Sequence, residues 1–147
     1  MATKAPASDR AELAARLRLA ITRTARRLRQ EAGGLSPSLG SALSVIERRG
    51  PLTPSELAEI ERVQRPTATR VVARLEQQGL VDRARDPSDG RVTLVSVSPS
   101  GRALLRRLRT RKDAYLARRL ADLDHADAET LERAAGVLER LLEGERG

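Results

Sequence analysis

Between Gly79 and Ser98 the spacing of apolar residues changes from helical to alternating, and this interruption constrains the fold more than any other feature of the chain. Leu80 to Arg85 and Arg91 to Val97 are rich in β-branched residues, and Asp86-Pro87-Ser88-Asp89-Gly90 between them is a concentrated turn signal. An antiparallel hairpin is the reading. Everything around it has helical periodicity. The expected class is therefore mainly α with a small β-hairpin wing, and 147 residues are enough to bury a core in one domain with helical extensions.

The helices announce themselves by their caps. Residues 1–8 are small and polar and read as a disordered tail. The first helix occupies 9–35, capped by Ser8 or Asp9 and ended by Gly33-Gly34, with Leu13, Leu17, Ile21, Ala25 and Leu28 on one face. Ser36 with Pro37 begins a second helix, whose buried stripe is Leu39, Ala42, Leu43 and Ile46. Thr53-Pro54-Ser55-Glu56 is a capping box, with the Thr53 hydroxyl on the Glu56 amide and Glu56 reaching back to the Thr53 amide. A short helix runs from there to about Arg62. Val63-Gln64-Arg65 makes a turn, Pro66 opens the next helix, and Ala68, Val71, Val72 and Leu75 give it a core face until Gly79. After the hairpin, Ser98-Pro99 caps a long helix carrying Leu104, Leu105, Leu108, Tyr115, Leu116 and Leu120. Asp124 with Asp127 caps the last helix, with its stripe Leu131, Ala134, Ala135, Leu138, Leu141 and Leu142.

A capped short helix, a tight turn, a second helix and a hairpin, in that order over 36–98, make a winged helix-turn-helix. The second helix is the one such folds offer to the major groove, which is wide enough for a single α-helix. With 68, 71, 72 and 75 facing inward, Thr67, Arg70 and Arg74 are expected on the opposite face with Thr69 beside them, and Gln64 and Arg65 at the turn complete the candidate reading surface. Arg70 suits either a bidentate contact to guanine or a phosphate, and the sequence leaves both open. The alternative is a generic helical pair with a solvated basic face. The hairpin argues against it, because Asp89-Gly90-Arg91 sets an Arg at the end of a projecting wing, where it can enter the electronegative minor groove. Arg83 and Arg85 lie on the way to that tip.

From Arg83 through Arg91, and on through Val92-Thr93-Leu94-Val95-Ser96-Val97-Ser98 to Gly101, the chain resembles the wing signature of MarR-type transcriptional regulators, with their D-x-R element at Asp89 and Arg91. The resemblance spans nearly the whole chain. It implies that Arg91 is the minor-groove residue and that Asp89 orients wing arginines. It also implies dimerisation through the N-terminal helix and the C-terminal helices of 99–147. Gly90 departs from the family, which often carries a second Arg there. Dimerisation has its own physical ground, since a winged domain without Phe or Trp buries little and three further amphipathic helices need a partner surface. A two-fold dimer sets its reading helices about 34 Å apart and so expects an inverted-repeat operator.

Charge and the rarer residue types narrow the chemistry. The net charge of +8 favours a polyanion, and Arg62 to Arg91 holds 7 basic against 4 acidic residues where Ser36 to Glu61 holds 2 against 4. No Cys rules out disulfides, thiolate metal sites and thiol sensing, and a lone His125 gives neither a multi-histidine metal site nor a comfortable triad. No cofactor, metal or enzymatic activity is expected. One Tyr and no Phe or Trp fits duplex DNA better than single strands, which need stacking platforms. No charge-free stretch is long enough for a membrane span and Met1 to Arg10 lacks an apolar leader, so a cytoplasmic location is expected. The family resemblance brings a small lipophilic or aromatic effector, for which no residues here are specific. Besides a homodimeric, sequence-specific DNA regulator, most readily a repressor, the competing reading is an architectural or helical interaction protein that binds DNA or anionic partners without sequence preference.

Overall fold

A computed structural model describes residues 6–144, in the order α1 (Ala7–Ala32), α2 (Pro37–Arg49), α3 (Pro54–Glu61), α4 (Arg65–Gln77), β1 (Val81–Arg85), β2 (Thr93–Val97), α5 (Pro99–Ala121) and α6 (His125–Glu143). Two compact units divide the chain after Lys112, so the first half of α5 belongs with the winged part and not with the C-terminal helices. Most of the expected tail, residues 1–5, lies outside the described residues. Ser8 and Asp9 do not cap α1. Pro6 does, without a side-chain hydrogen bond, because its ring already fixes the extended entry and the first turn starts at Ala7.

The other caps form as the sequence demands. Ser36 Oγ accepts from the Leu39 amide at 3.4 Å, and Thr53 Oγ1 accepts from the Glu56 amide at 3.1 Å. Glu56 closes its box differently from expectation, since its carboxylate accepts from the Thr53 hydroxyl at 3.2 Å in place of the amide. The core of the first unit lies among α2, α3, α4, the hairpin and the start of α5, and is wholly aliphatic: Leu43, Ile46, Leu52, Leu57, Val72, Leu75 and Val95 have almost no exposed surface.

The hairpin pairs Val81 with Val97 through to Arg85 with Thr93. Leu52, in the link between α2 and α3, bonds reciprocally with Val95 at 3.0 and 2.7 Å, which ties the root of the wing to the helical core. Sequence reading missed this bridge, although a lone Leu between Pro51 and a capping box was a usable signal. Ser98 is the buried polar residue of the described chain, and its hydroxyl and amide together join three elements. It donates to the Gly79 carbonyl at 2.6 Å, just after α4, and accepts from the Gly101 amide at 3.0 Å in the first turn of α5. Its own amide donates to Leu80 at 3.0 Å, at the foot of β1. Gly101 permits this crossing because a Cβ there would lie 2.2 Å from the Leu80 carbonyl oxygen.

The basic run of α5 is partly structural. Arg109 pairs with Glu47 of α2 at 2.8 Å, and Arg111 donates to the Ala32 carbonyl at 3.0 Å, where the C-terminal end of α1 favours a cation. On α1 the anticipated stripe is only half covered: Leu17, Ala25 and Leu28 are half-buried, while Leu13 and Ile21 keep 52% and 49% of their surface exposed. In the second unit, Asp124 Oδ1 accepts from the Asp127 amide at 2.8 Å to cap α6. No residue of α6 is buried, and Leu131, Val137, Leu141 and Leu142 are exposed.

Candidate nucleic-acid interface

The candidate surface starts where α3 stops. Arg62 ends α3 in the left-handed region (φ 54°, ψ 46°), its amide held by the carbonyls of Ala58 and Glu59. This reverses the chain, so the helix-turn-helix bend is made at Arg62 and the next helix begins one residue before the expected Pro66. Gln64 is the N-cap of α4 through its backbone alone: its carbonyl accepts from the amides of Thr67 and Ala68 at 3.0 and 3.1 Å. Pro66 sits within the first turn, where its missing amide costs nothing.

On α4, Ala68, Val72 and Leu75 are buried, and Val71 packs half-covered against them. Gln64, Arg65, Thr69, Arg70 and Arg74 are exposed. Thr67 is the exception to the expected layout. It is half-buried and lines a small cleft of about 40 Å³ with Ser38, Ala42, Leu57, Glu61, Val63, Ala68 and Val71. One turn before Val71, it falls on the flank of α4 turned towards α2 and α3, and so off the outermost line that Arg70 occupies. Glu61 beside it accepts from the Ser41 hydroxyl at 2.7 and 3.0 Å, which fastens the end of α3 to α2.

The wing divides its charges between two jobs. Arg83 on β1 is ion-paired with Glu76 of α4, so it braces the wing against that helix. Arg85 is exposed near the end of the strand. Two Asx turns shape the tip, with Asp86 Oδ1 accepting from the Ser88 amide at 2.7 Å and Asp89 Oδ1 from the Arg91 amide at 3.1 Å. Asp89 also holds the Arg91 guanidinium through Nε at 3.2 Å and Nη2 at 3.4 Å. Asp89 thus bonds to Arg91, while the partner of Arg83 is Glu76. Bonds from the Arg91 side chain first, and its amide second, hold the Asp89 carboxyl below its usual 3.8. Its folded value being depressed, the clasp is complete above the ordinary carboxylate range and is lost only as pH falls through that lowered value. The Arg91 side chain is 91% exposed, aimed into open solvent, and the position of a Cβ on Gly90 is clear of every neighbour.

A second feature lies away from this surface. The end of α1, the start of α2 and the first half of α5 enclose a cleft of about 320 Å³, lined by aliphatic Leu28, Leu35, Leu105 and Leu108 and edged by Arg29, Arg109 and Lys112. Among the described residues no cluster of His, Asp or Glu could hold a metal ion, and no helix is long and apolar enough to cross a membrane.

Residues 35–93 match the model of the MarR family. An HTH-type transcriptional regulator of Mycobacterium bovis, Mb0904, is 42% identical over 135 residues, covering 90% of this chain and 94% of that protein. The crystal structure of a putative transcriptional regulator from Pseudomonas aeruginosa superposes with a TM-score of 0.84 at 37% identity, over 93% of this chain and 98% of that one. FabT of Streptococcus pneumoniae, solved in complex with DNA, shares the fold at a TM-score of 0.65 and 19% identity, over 90% of this chain and 96% of its own.

Proposed function

We propose that this protein, which belongs to the MarR family of transcriptional regulators, is a homodimeric reader of double-stranded DNA that recognises an inverted-repeat operator. The observation that carries the reading is the pairing of two exposed guanidinium groups on different elements of one compact unit. Arg70 stands on the outer line of α4, and Arg91 stands at the wing tip. A helix in the major groove and a finger over the adjacent minor groove need that arrangement. Arg65, Thr69 and Arg74 extend the contact along α4 from its start at Gln64. Thr67 reads from the edge, and Arg85 follows the wing towards the backbone. Arg83 contributes through its brace to Glu76.

The exposed leucines of α1 and α6 support the dimer, since apolar side chains repeating along two helices in a single chain call for a second copy. Occupying both grooves denies the same base pairs to other proteins, so repression in the cytoplasm is the regulatory direction proposed. For release, the cleft beneath α1 suits a compound with an aliphatic or aromatic body and an acidic group facing Arg29, Arg109 or Lys112. Such a ligand acts only as far as it prefers the conformation that cannot grip DNA.

Selection of random duplex fragments by the purified protein tests the reading. The expected result is enrichment of a palindrome with half-sites one helical turn apart, and gel filtration giving twice the chain mass. Binding without enrichment would make the protein an architectural one, and a stable single-chain mass would remove the dimer.

A further inference from the structure

Arg62 is in a conformation that its residue type disfavours. It is the one non-glycine residue with positive φ among the described residues, and the other left-handed positions, Gly33, Gly34 and Gly79, all hold glycine. A side chain in this region crowds the following carbonyl oxygen, and helices that end this way take Gly or Asn by preference. The long side chain gains nothing inside the fold to offset that. It is exposed, and among the described residues no hydrogen bond or ion pair holds its guanidinium. Glu61, the neighbouring acid, is engaged by the Ser41 hydroxyl.

The compensation therefore lies outside the chain. Arg62 makes the bend that delivers α4, and from Arg62 to Arg74 there are four arginines and no acid, so uncompensated positive charge runs along the chain from the bend into α4. Cations in such a row, without carboxylate partners, are what a phosphate backbone takes up. We infer that Arg62 is a DNA-phosphate contact, placed at the elbow of the helix-turn-helix against the local backbone preference. The inference rests on the DNA-binding reading above and adds a contact before Gln64, where that surface otherwise starts. A strained residue kept at a binding surface is a common exchange of stability for function.

The test compares the full-length wild type with Arg62→Gly and Arg62→Lys, measuring thermal midpoint and affinity for a selected operator across a salt series. Each phosphate contact contributes about 0.9 to the slope of log affinity against log salt, a factor of about 5 at roughly 0.15 M. With two copies per dimer, Arg62→Gly is expected to bind about 30-fold more weakly with a slope flatter by about 1.8. Its midpoint should stay level or rise by up to about 3 °C, because relief of the left-handed strain offsets the entropy of an added glycine. Arg62→Lys should keep the wild-type slope. An Arg62→Gly protein with wild-type affinity and slope overturns the inference, and so does a lowered midpoint or a lysine variant as weak as the glycine one. Failure of the wild type itself to enrich any duplex would instead overturn the DNA-binding reading, and the two failures are thereby distinct.

Discussion

Replacing Ser98 by Ala removes one oxygen from the junction of α4, wing and α5, and the consequence can be worked from its bonds. The backbone bonds from Ser98 to Leu80 and from Arg102 to Ser98 survive. What disappears is the acceptor for the Gly101 amide and the donor to the Gly79 carbonyl. Loss of an N-cap of this kind costs about 1 kcal/mol. The Gly79 carbonyl, left to find water at a partly open position, costs about 1 kcal/mol more. Together they make about 2 kcal/mol. For a chain of this size the unfolding entropy is about 0.3 kcal/mol/K, so the midpoint should fall by about 7 °C. Circular dichroism melts at one fixed protomer concentration measure this without a shift from mass action. DNA affinity should fall as well, because α4 and the wing lose their shared anchor, but the salt slope should not change since no phosphate contact is removed. A midpoint within 2 °C of wild type, on the order of experimental scatter for a small effect, would show that the junction is held by its backbone bonds alone and would refute the reasoning.

Three further outcomes follow from the same surfaces. Arg91→Ala should weaken operator binding by about 30-fold near 0.15 M salt and flatten the slope by about 1.8, without moving the thermal midpoint; by carbonyl-region NMR the Asp89 carboxyl should titrate closer to its usual 3.8. Gly90→Arg should bind more tightly with a steeper slope, because the Cβ position is clear and the backbone there is not left-handed; a filter-binding salt series in which affinity fails to rise would count against the wing tip as a DNA contact. Gly101→Ala should destabilise by about 3 kcal/mol or more through collision with the Leu80 carbonyl, visible as a drop of roughly 10 °C in a melt, and a normal melt would refute the close approach of α5 to β1.

Much of this architecture was legible residue by residue. Ser36, Thr53 and Asp124 cap the helices they were expected to cap, because a short oxygen-bearing side chain before an apolar period can satisfy amides of the first turn whatever surrounds it. The hairpin was equally plain, with Asp86 and Asp89 making Asx turns within two residues of themselves. Reading failed where a residue's fate depended on something distant in sequence. Nothing near Thr67 announced that α2 would shade it, and nothing near Arg83 that Glu76 would claim it. Arg62 escaped notice because a left-handed bend is ordinarily marked by glycine.

The sequence by itself determined which segments are helix, which is hairpin, where α2, α3 and α6 begin, and that one face of α4 is cationic, because those properties rest on interactions within a few residues. The tertiary structure alone decided the division of labour among like charges. Arg109 and Arg111 became fastenings for α2 and α1, Arg83 became a brace, and Arg70 and Arg91 were left facing outward. All five are the same residue in a chain rich in arginine. Only packing places a carboxylate or a helix-end carbonyl within reach of some of them, and the electrostatic partner of a long side chain is set by distance in space.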